Sequence, residues 1–355
     1  DEAHYDSTTD LNAVLSLAKE CDVDGIMTFN SDPAALTAAY VADRLGLPGS
    51  GYTAVEIMSE KDKFRKFLSE NGFSTPKFRQ YTEVKALLNE LEYFQFPVIL
   101  KPVDSSGSKG VVKITTPEEV EASFFNALTY SRSKRIIVEE FIQPEGAQMH
   151  GDAFIRNGKI EFIYLGDHHY DSNINNLVPI STTFPSSHSK DSIAAVVDEV
   201  QRFITKVNFK QGGINIEARI SAKDHKVYLI EVGPRNGGNF TPIIIQYASG
   251  FNFMDACLDV FLNMEYAEQH PCKKGFYAYM IIHSKQDGIL AQIEIDSALS
   301  SKVFQRYDYL HIGEMVRSFK GANSAIGVLL VRFDSMEQMT EYVDNMERYC
   351  KVRLQ

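Results

Sequence analysis

The sequence has no apolar run long enough to span a bilayer, no excess of positive charge and no cysteine pair at metal-binding spacing. The first absence argues against a membrane-spanning helix, and the opening residues carry no signal-peptide pattern. The second argues against a nucleic-acid partner, because 36 basic and 47 acidic residues leave a net charge of −11. Local basic clusters remain free to hold phosphates. The four cysteines (Cys21, Cys257, Cys272 and Cys350) lie far apart and read as free thiols in a reducing cytoplasm. What remains is ordinary for a globular chain, with 44% hydrophobic and 23% charged residues. At 355 residues the chain is long enough for two or three modules.

Hydrophobic spacing predicts helices over Leu11–Glu20 and over 34–45, 61–71, 84–91, 117–130, 193–207 and 336–349. Asn30-Ser31-Asp32-Pro33 supplies caps and a first-turn proline for the second helix, Gly46 and Pro48 stop it, and Gly72 ends the third. Strands are predicted over 23–29, 96–102, 111–114 and 135–141, with hairpins over 151–166, turning at Asn157-Gly158, and over 213–232. Residues 167–187 are polar with little periodicity and read as a long functional loop. Short strands resume near Pro271. The opening segment reads as half of a doubly wound unit. One or two parallel strands cannot bury their own faces, so either residues before Asp1 are missing or this segment docks on the rest.

The strand from Gly213 alternates strictly, with Ile214, Ile216, Ala218 and Ile220 on one face and Asn215, Glu217 and Arg219 on the other. A hairpin symmetric about Asp224 sets Glu217 opposite Glu231, with Cβ atoms about 5 Å apart. Facing carboxylates repel unless a cation lies between them, and hard oxygen ligands at that separation suit Mg²⁺ shared with water and phosphate. An isolated Glu pair would read as a solvated face, but Ile230 and Val232 flank Glu231 and favour the metal. Lys101 closes an apolar strand, where a charge needs a partner. The loop Ser105-Ser106-Gly107-Ser108-Lys109-Gly110 follows, and an ammonium with free backbone N–H groups is one way to hold phosphate oxygens. The loop lacks the spacing of a P-loop or of GxGxxG and fits a flexible turn equally well.

Adjacent Glu139 and Glu140 point to opposite faces of a strand, so at most one enters a shared site. A strand edge with an acceptor carboxylate suits an adenine amino group; an exposed edge acid is the alternative. Arg235, four residues after Glu231, is placed to neutralise a transferring phosphoryl group or to form a surface ion pair. His168, His169, Tyr170 and Asp171 read as surface or hydrogen-bonding groups ahead of a metal or base cluster.

Taken in order, these pieces resemble the ATP-grasp superfamily, which includes biotin carboxylase, carbamoyl phosphate synthetase and the L-amino-acid ligases. The resemblance spans roughly residues 59 to 250. Ser59-Glu60-Lys61-Asp62-Lys63 resembles the family's Asp-Lys helix start, which implies Lys63 on the nucleotide phosphates. Residues 96–110 resemble its strand–lysine–glycine-loop element, which implies Lys101 on the α and β phosphates and a lid of Ser106, Gly107, Ser108 and Gly110. Val138-Glu139-Glu140-Phe141-Ile142 resembles the adenine strand, with Glu139 accepting from the amino group and the backbone of Glu140 and Ile142 reading the ring. Glu217 and Glu231 fall on the metal carboxylates and Arg235 on the phosphoryl-stabilising arginine, making Lys101 and Arg235 the implied catalytic residues. Two positions depart from the pattern. Gly233 stands where an Asn is usual, leaving Asn236 or water to complete the metal sphere. The ribose-binding acid is replaced near Gln148, with Glu145 as a substitute.

The implied fold is α/β and α+β: an ATP-grasp domain of two α+β subdomains clasping ATP over 58–268, a partial Rossmann-like pre-ATP-grasp domain over 1–57, and a small C-terminal α+β domain over 269–355. The last resembles that of the amino-acid ligase branch. The implied function is an ADP-forming carboxylate–amine ligase, cytoplasmic, using ATP and Mg²⁺ (or Mn²⁺) to make an acyl phosphate of an amino acid or small acid. Its partners would be small molecules, with no nucleic acid or membrane, and a homodimer is allowed. The alternatives are a non-catalytic ATP-binding regulator and a bicarbonate-using enzyme of the carbamoyl phosphate synthetase or carboxylase type.

Overall fold

The computed structural model describes residues 2–171, 173–174, 177–266, 269 and 275–355. Helices α1 (Leu11–Glu20), α2 (Asp32–Leu45), α3 (Tyr52–Ser59) and α4 (Lys61–Glu70) come first. Asp10 caps α1 by accepting from the Asn12 and Ala13 amides, and Gly46 closes α2 at φ 70°. The segment 23–29, expected as a strand, joins no sheet among the described residues. No strand among the described residues pairs with it. Instead Met27 and Phe29 pack on an apolar cluster, and the Phe29 carbonyl accepts from the Asn236 amide at 2.9 Å. The opening segment is therefore docked on the rest of the chain.

Strands β1 (Phe78–Tyr81), β2 (Val98–Pro102), β3 (Val112–Ile114) and β4 (Ile136–Glu140), with helices α5 (Val84–Asn89) and α6 (Val120–Tyr130), make the first lobe. Its antiparallel sheet has the order β1-β4-β2-β3 and rests on Leu87, Phe94, Leu100, Phe124 and Val138.

The second lobe holds β5 (Gln148–Arg156), β6 (Lys159–His169), β7 (Ser181–Phe184), α7 (Lys190–Val207), β8 (Gly212–Ile220), β9 (Val227–Gly233), α8 (Thr241–Ser249) and α9 (Phe253–Phe261). Then follow β10 (Phe276–Ile282), β11 (Gly288–Ile295), α10 (Ser297–Ser300), β12 (Val303–Asp308), β13 (Met315–Val316), β14 (Gly327–Phe333), α11 (Met336–Asp344), α12 (Met346–Tyr349) and β15 (Cys350–Leu354). An eight-stranded antiparallel sheet runs β12-β14-β10-β7-β6-β5-β8-β9, and a small one runs β13-β11-β15. Helix α7 buries Val196, Val200, Phe203, Ile204 and Val207 at helical spacing. They meet Ile214, Ile216 and Ala218 of β8. Strand alternation then turns Asn215, Glu217 and Arg219 to the opposite face, away from that core.

Two further elements differ from expectation. Residues 167–187 are not one loop, because β6 runs on to His169 and 181–184 is β7, buried at every position. Its polar residues are satisfied inside the sheet: Ser181 donates to the Tyr279 carbonyl at 2.6 Å and Thr182 to the Tyr279 hydroxyl at 2.7 Å. Residues 172, 175 and 176 of that stretch lie outside the described residues. The expected division at 268 and the residues Pro271 and Cys272 also lie outside them, but β10, β12 and β14 beyond it extend the central sheet. The expected helix 336–349 is two, α11 and α12, separated at Asn345.

The β8–β9 hairpin does place Glu217 opposite Glu231, by a route that symmetry does not give. Ala218 pairs with Leu229 and Ile220 with Val227, one residue out of step with the Glu217–Glu231 pair. A bulge at Ile230 takes up the difference. Without it, Glu217 would face Ile230.

Candidate active site

The two lobes share a cleft. Lys61, Arg65, Lys101, Ser105, Ser106 and Glu139 line it from one side; Gln148, Asn215, Glu217, Glu231 and Arg235 line it from the other.

At its floor lies a buried ion cluster. Lys101 Nζ donates to Glu139 at 3.0 Å, and Arg65 donates to both Glu139 oxygens at 2.9 and 3.1 Å. Arg65 also donates to the Leu229 and Ile230 carbonyls at 2.7 and 2.9 Å, tying β4 of one lobe to β9 of the other. All three side chains are buried. Burial alone would raise the Glu139 pKa, but the Arg65 and Lys101 charges overcome it and hold it at about 2. With both oxygens taken, Glu139 is the anion of this cluster and not the free acceptor expected for an adenine amino group. Glu140 and Ile142 line the cleft, but the Glu140 carboxylate accepts from the Gln95 amide at 2.8 Å and the Ile142 carbonyl from Arg219 at 2.9 Å.

Lys61, and not Lys63, faces the cleft. Lys61 Nζ donates to the Ser105 carbonyl at 2.6 Å, whereas Lys63 pairs with Glu56 and Glu60, each at 3.0 Å, and does not line the cleft. Two positions along a helix rotate a side chain by about 200°, so a motif read two residues late selects the wrong face. Ser106, Gly107 and Ser108 line the cleft, and Ser108 reaches the other lobe by donating to the Leu177 carbonyl at 3.1 Å. Gly110 does not line it: a Cβ there would come within 2.9 Å of Tyr130 and 3.0 Å of Pro102, so this glycine serves close packing. Glu145, proposed for the ribose, is exposed outside the cleft and pairs with His225 at 2.5 Å. Gln148 does enter, donating to Glu217 at 2.9 Å and accepting from Arg219 at 2.7 Å.

Glu217 and Glu231 both face the cleft. Burial and the neighbouring Glu231 charge push Glu217 up to about 7. At Glu231, the Lys61 and Arg235 charges outweigh burial and hold the carboxyl low. Two opposed carboxylates among fixed cations fit a divalent cation with hard oxygen ligands. Asn236 is not placed to complete such a sphere. It lies under β8, where a Cβ at Gly213 would fall 2.2 Å from its Oδ1, and its amide donates to Asp152 at 3.4 Å. Asn215, opposite Gly233 in the ladder, is the amide that lines the cleft with Glu217 and Glu231.

Arg235 donates to both oxygens of Asp32, at 2.6 and 2.8 Å, and to the Asn236 carbonyl at 3.1 Å. Asp32 lies in the first turn of α2, so the docked opening segment orients this arginine. The loop carrying it is pinned by buried Asp152, which accepts from the Gly237 amide at 2.8 Å and from Asn215 at 2.8 Å. Burial pushes Asp152 up to about 6.

His168 is hydrogen-bonded, as expected, but it is buried. It stacks on buried His150 with ring centroids 4.1 Å apart and planes 21° from parallel. Burial lowers both imidazole pKa values, His150 to about 3 and His168 well below its ordinary value. His169 turns elsewhere, to Thr183 at 3.0 Å, and Asp171 pairs with Lys285 at 3.3 Å. The residues that sequence reasoning missed are Lys61, Arg65, Asp32 and His150.

Two α+β lobes closing on a cation-lined cleft define the class: this is the ATP-grasp fold. Residues 94–243 match the ATP-grasp domain family. The carbamoyl phosphate synthase large chain of Thermotoga sp. strain RQ2 is 23% identical over 211 residues, which cover 57% of this chain and 18% of that one. This chain thus spans less than a fifth of that relative's length. Among solved structures, an L-amino acid ligase from Bacillus licheniformis matches with a TM-score of 0.79 at 23% identity, covering 97% of this chain and 84% of that one. Phosphoribosylglycinamide synthetase from Anaerococcus prevotii matches at 0.74 and 21% identity, covering 100% and 89%.

Proposed function

We propose that this chain is an ATP- and Mg²⁺-dependent carboxylate–amine ligase. The observation that carries the reading is the convergence of three cations from separate elements, Lys61, Lys101 and Arg235, on a cleft that also holds the facing carboxylates Glu217 and Glu231. The lysines suit the phosphate chain of ATP. Glu217 and Glu231 would hold Mg²⁺, which when bound neutralises phosphate charge. Arg235 is the cation we assign to the γ-phosphoryl group as it meets a carboxylate, in a cleft that Tyr170, Pro179 and Tyr279 also line. The carboxylate oxygen attacks the γ-phosphorus and ADP leaves; the amine then attacks the acyl carbon and phosphate leaves. Positioning and charge neutralisation supply most of the catalysis in such a transfer. The loop 105–108 and its contact at Leu177 cover the site from water. The similarity to a solved L-amino acid ligase favours an amino acid as one substrate.

The test is phosphate release across a panel of carboxylates and amines. ADP and phosphate should form only when both are present. Stimulation by bicarbonate alone would replace this reading with a carboxylating one; tight ATP binding that nothing stimulates would leave a regulator. A second measurement concerns the lysines. Lys61→Ala should weaken MgATP binding about tenfold or more, the worth of a charge-assisted hydrogen bond. Lys63→Ala should leave it nearly unchanged. Calorimetry showing equal losses, or a loss at Lys63 alone, would reverse the assignment.

A further inference from the structure

We propose that His150, His168 and Glu217 form a second metal site, for a borderline divalent cation such as Zn²⁺, next to the proposed Mg²⁺ carboxylates and sharing Glu217 with them. The inference goes beyond the ligase reading and stands on its own geometry. One potential ligand atom from each of the three residues lies within 4.8 Å of the other two. Strand register brings them together: His150 on β5 is opposite Glu217 on β8, and His168 on β6 is opposite Gln148, two residues from His150 on the same face of β5.

The hydrogen bonds around the rings decide which nitrogens are free. Thr182 donates its hydroxyl proton to Tyr279 at 2.7 Å, so its oxygen accepts from His168 Nδ1–H, also at 2.7 Å. His168 Nε2 then carries a lone pair, 3.9 Å from Glu217 Oε1. A lone pair facing a carboxylate oxygen is unfavourable unless a proton or a cation lies between them, and a cation here also serves the second ring. His150 points the same way. Its Nε2 is 3.3 Å from the Thr241 hydroxyl, while its Nδ1 is buried with no hydrogen-bond partner. A buried ring nitrogen without a partner is costly in either tautomer and calls for an explanation. A metal supplies one for both rings, and the two threonines then act as the outer partners that fix ring orientation in metal–histidine sites.

The donor set selects the cation. Two imidazoles and one carboxylate suit Zn²⁺ over Mg²⁺, and three protein ligands leave a position open for substrate. Bonds of about 2.0–2.2 Å in a tetrahedral sphere place ligand atoms about 3.4 Å apart. The His168–Glu217 separation therefore closes by about half an ångström on binding, and the widest separation, at most 4.8 Å, by up to about 1.4 Å. The two imidazoles, stacked 4.1 Å apart and 21° from parallel, splay so that both lone pairs aim at one ion. The open position faces the cleft beside Tyr170 and Tyr279, where a carboxylate or amine oxygen or nitrogen would coordinate.

The experiment is a Zn²⁺ titration of the metal-free, untagged chain without nucleotide, in competition with a chromophoric chelator. One equivalent should bind. His150→Ala and His168→Ala should each weaken it at least about 100-fold, and Thr182→Val, which keeps both rings, about tenfold. X-ray absorption at the zinc edge of the wild-type chain should show two nitrogen neighbours at about 2.0–2.1 Å; this readout decides if an alanine variant loses its fold. No binding, equal binding in the variants, or an all-oxygen sphere overturns the proposal. MgATP binding is measured separately. Its failure beside His-dependent Zn²⁺ binding would sink the ligase reading alone, and the converse would sink the metal site alone.

Discussion

Replacing Glu139 by Gln is expected to destabilise the ligand-free chain by about 3–5 kcal/mol, the cost of breaking a buried ion pair from one side. Glu139 is the anion that both Arg65 and Lys101 contact, and all three are buried. Removing its charge leaves two cations facing a neutral amide. Arg65 keeps its two carbonyl acceptors, but Lys101 loses its carboxylate partner. Arg65→Met should cost less, because Glu139 then retains Lys101. The double variant should cost less than the sum of the two by about 1–3 kcal/mol, as expected for contacting groups. The acid limb gives an independent check. The Glu139 pKa of about 2 in the folded chain lies below its ordinary value of 4.5. The pair's stabilisation is therefore present above pH 4.5 and lost as pH falls toward 2. Glu139→Gln should flatten that limb. Urea unfolding measures both effects, and a cost below about 1 kcal/mol, the worth of a surface pair, would mean that the cluster does not tie the lobes.

This cluster also marks where the sequence was hard to read. Strand alternation made the cleft face of β8 legible, and a charge ending an apolar strand pointed to Lys101. Arg65 left a weaker trace. It lies between buried Phe64 and Leu68 on a helix otherwise rich in solvated charges, so its burial depends on a carboxylate 74 residues away. The same dependence on distant partners hid β7. A Ser-Thr-Thr run looks like loop until β6 and β10 flank it and Tyr279 takes its hydroxyl protons.

His150 could have been found. Gln148, His150 and Asp152 occupy alternate positions of one strand, the pattern of a polar cleft face. Met149 and Gly151 between them, and the apolar Ala153, Phe154 and Ile155 that follow, obscure it. The helix start at Lys61 is legible in the sequence; the motif placed two residues late within it selects Lys63 in place of Lys61. The Glu217–Glu231 pairing came out right because two departures from symmetry cancelled: the turn is centred half a residue early and the bulge at Ile230 restores the register.

Arg235→Ala is expected to lower ligase turnover by about 10³-fold or more, the range for an arginine that stabilises a transferring phosphoryl group. MgATP affinity should change far less, because charge develops at that site only as the phosphoryl group moves. The geometry motivating this is the bidentate hold of Asp32 on Arg235, which presents the guanidinium to the cleft. Arg235→Lys should not restore activity, since an ammonium cannot keep both contacts to Asp32 and reach the phosphate. Added guanidinium should restore part of the rate in Arg235→Ala and none in Glu231→Gln, whose defect lies in the metal pair. Asp32→Asn keeps the shape but weakens the hold; it should lower kcat with KM for ATP little changed, the signature of a positioning residue. Single-turnover measurements separate these outcomes. A loss of ATP affinity matching the loss of turnover would make Arg235 a ground-state phosphate ligand. Turnover within about tenfold of wild type would remove it from the phosphoryl-transfer step, because even one lost oxyanion donor usually costs more than that.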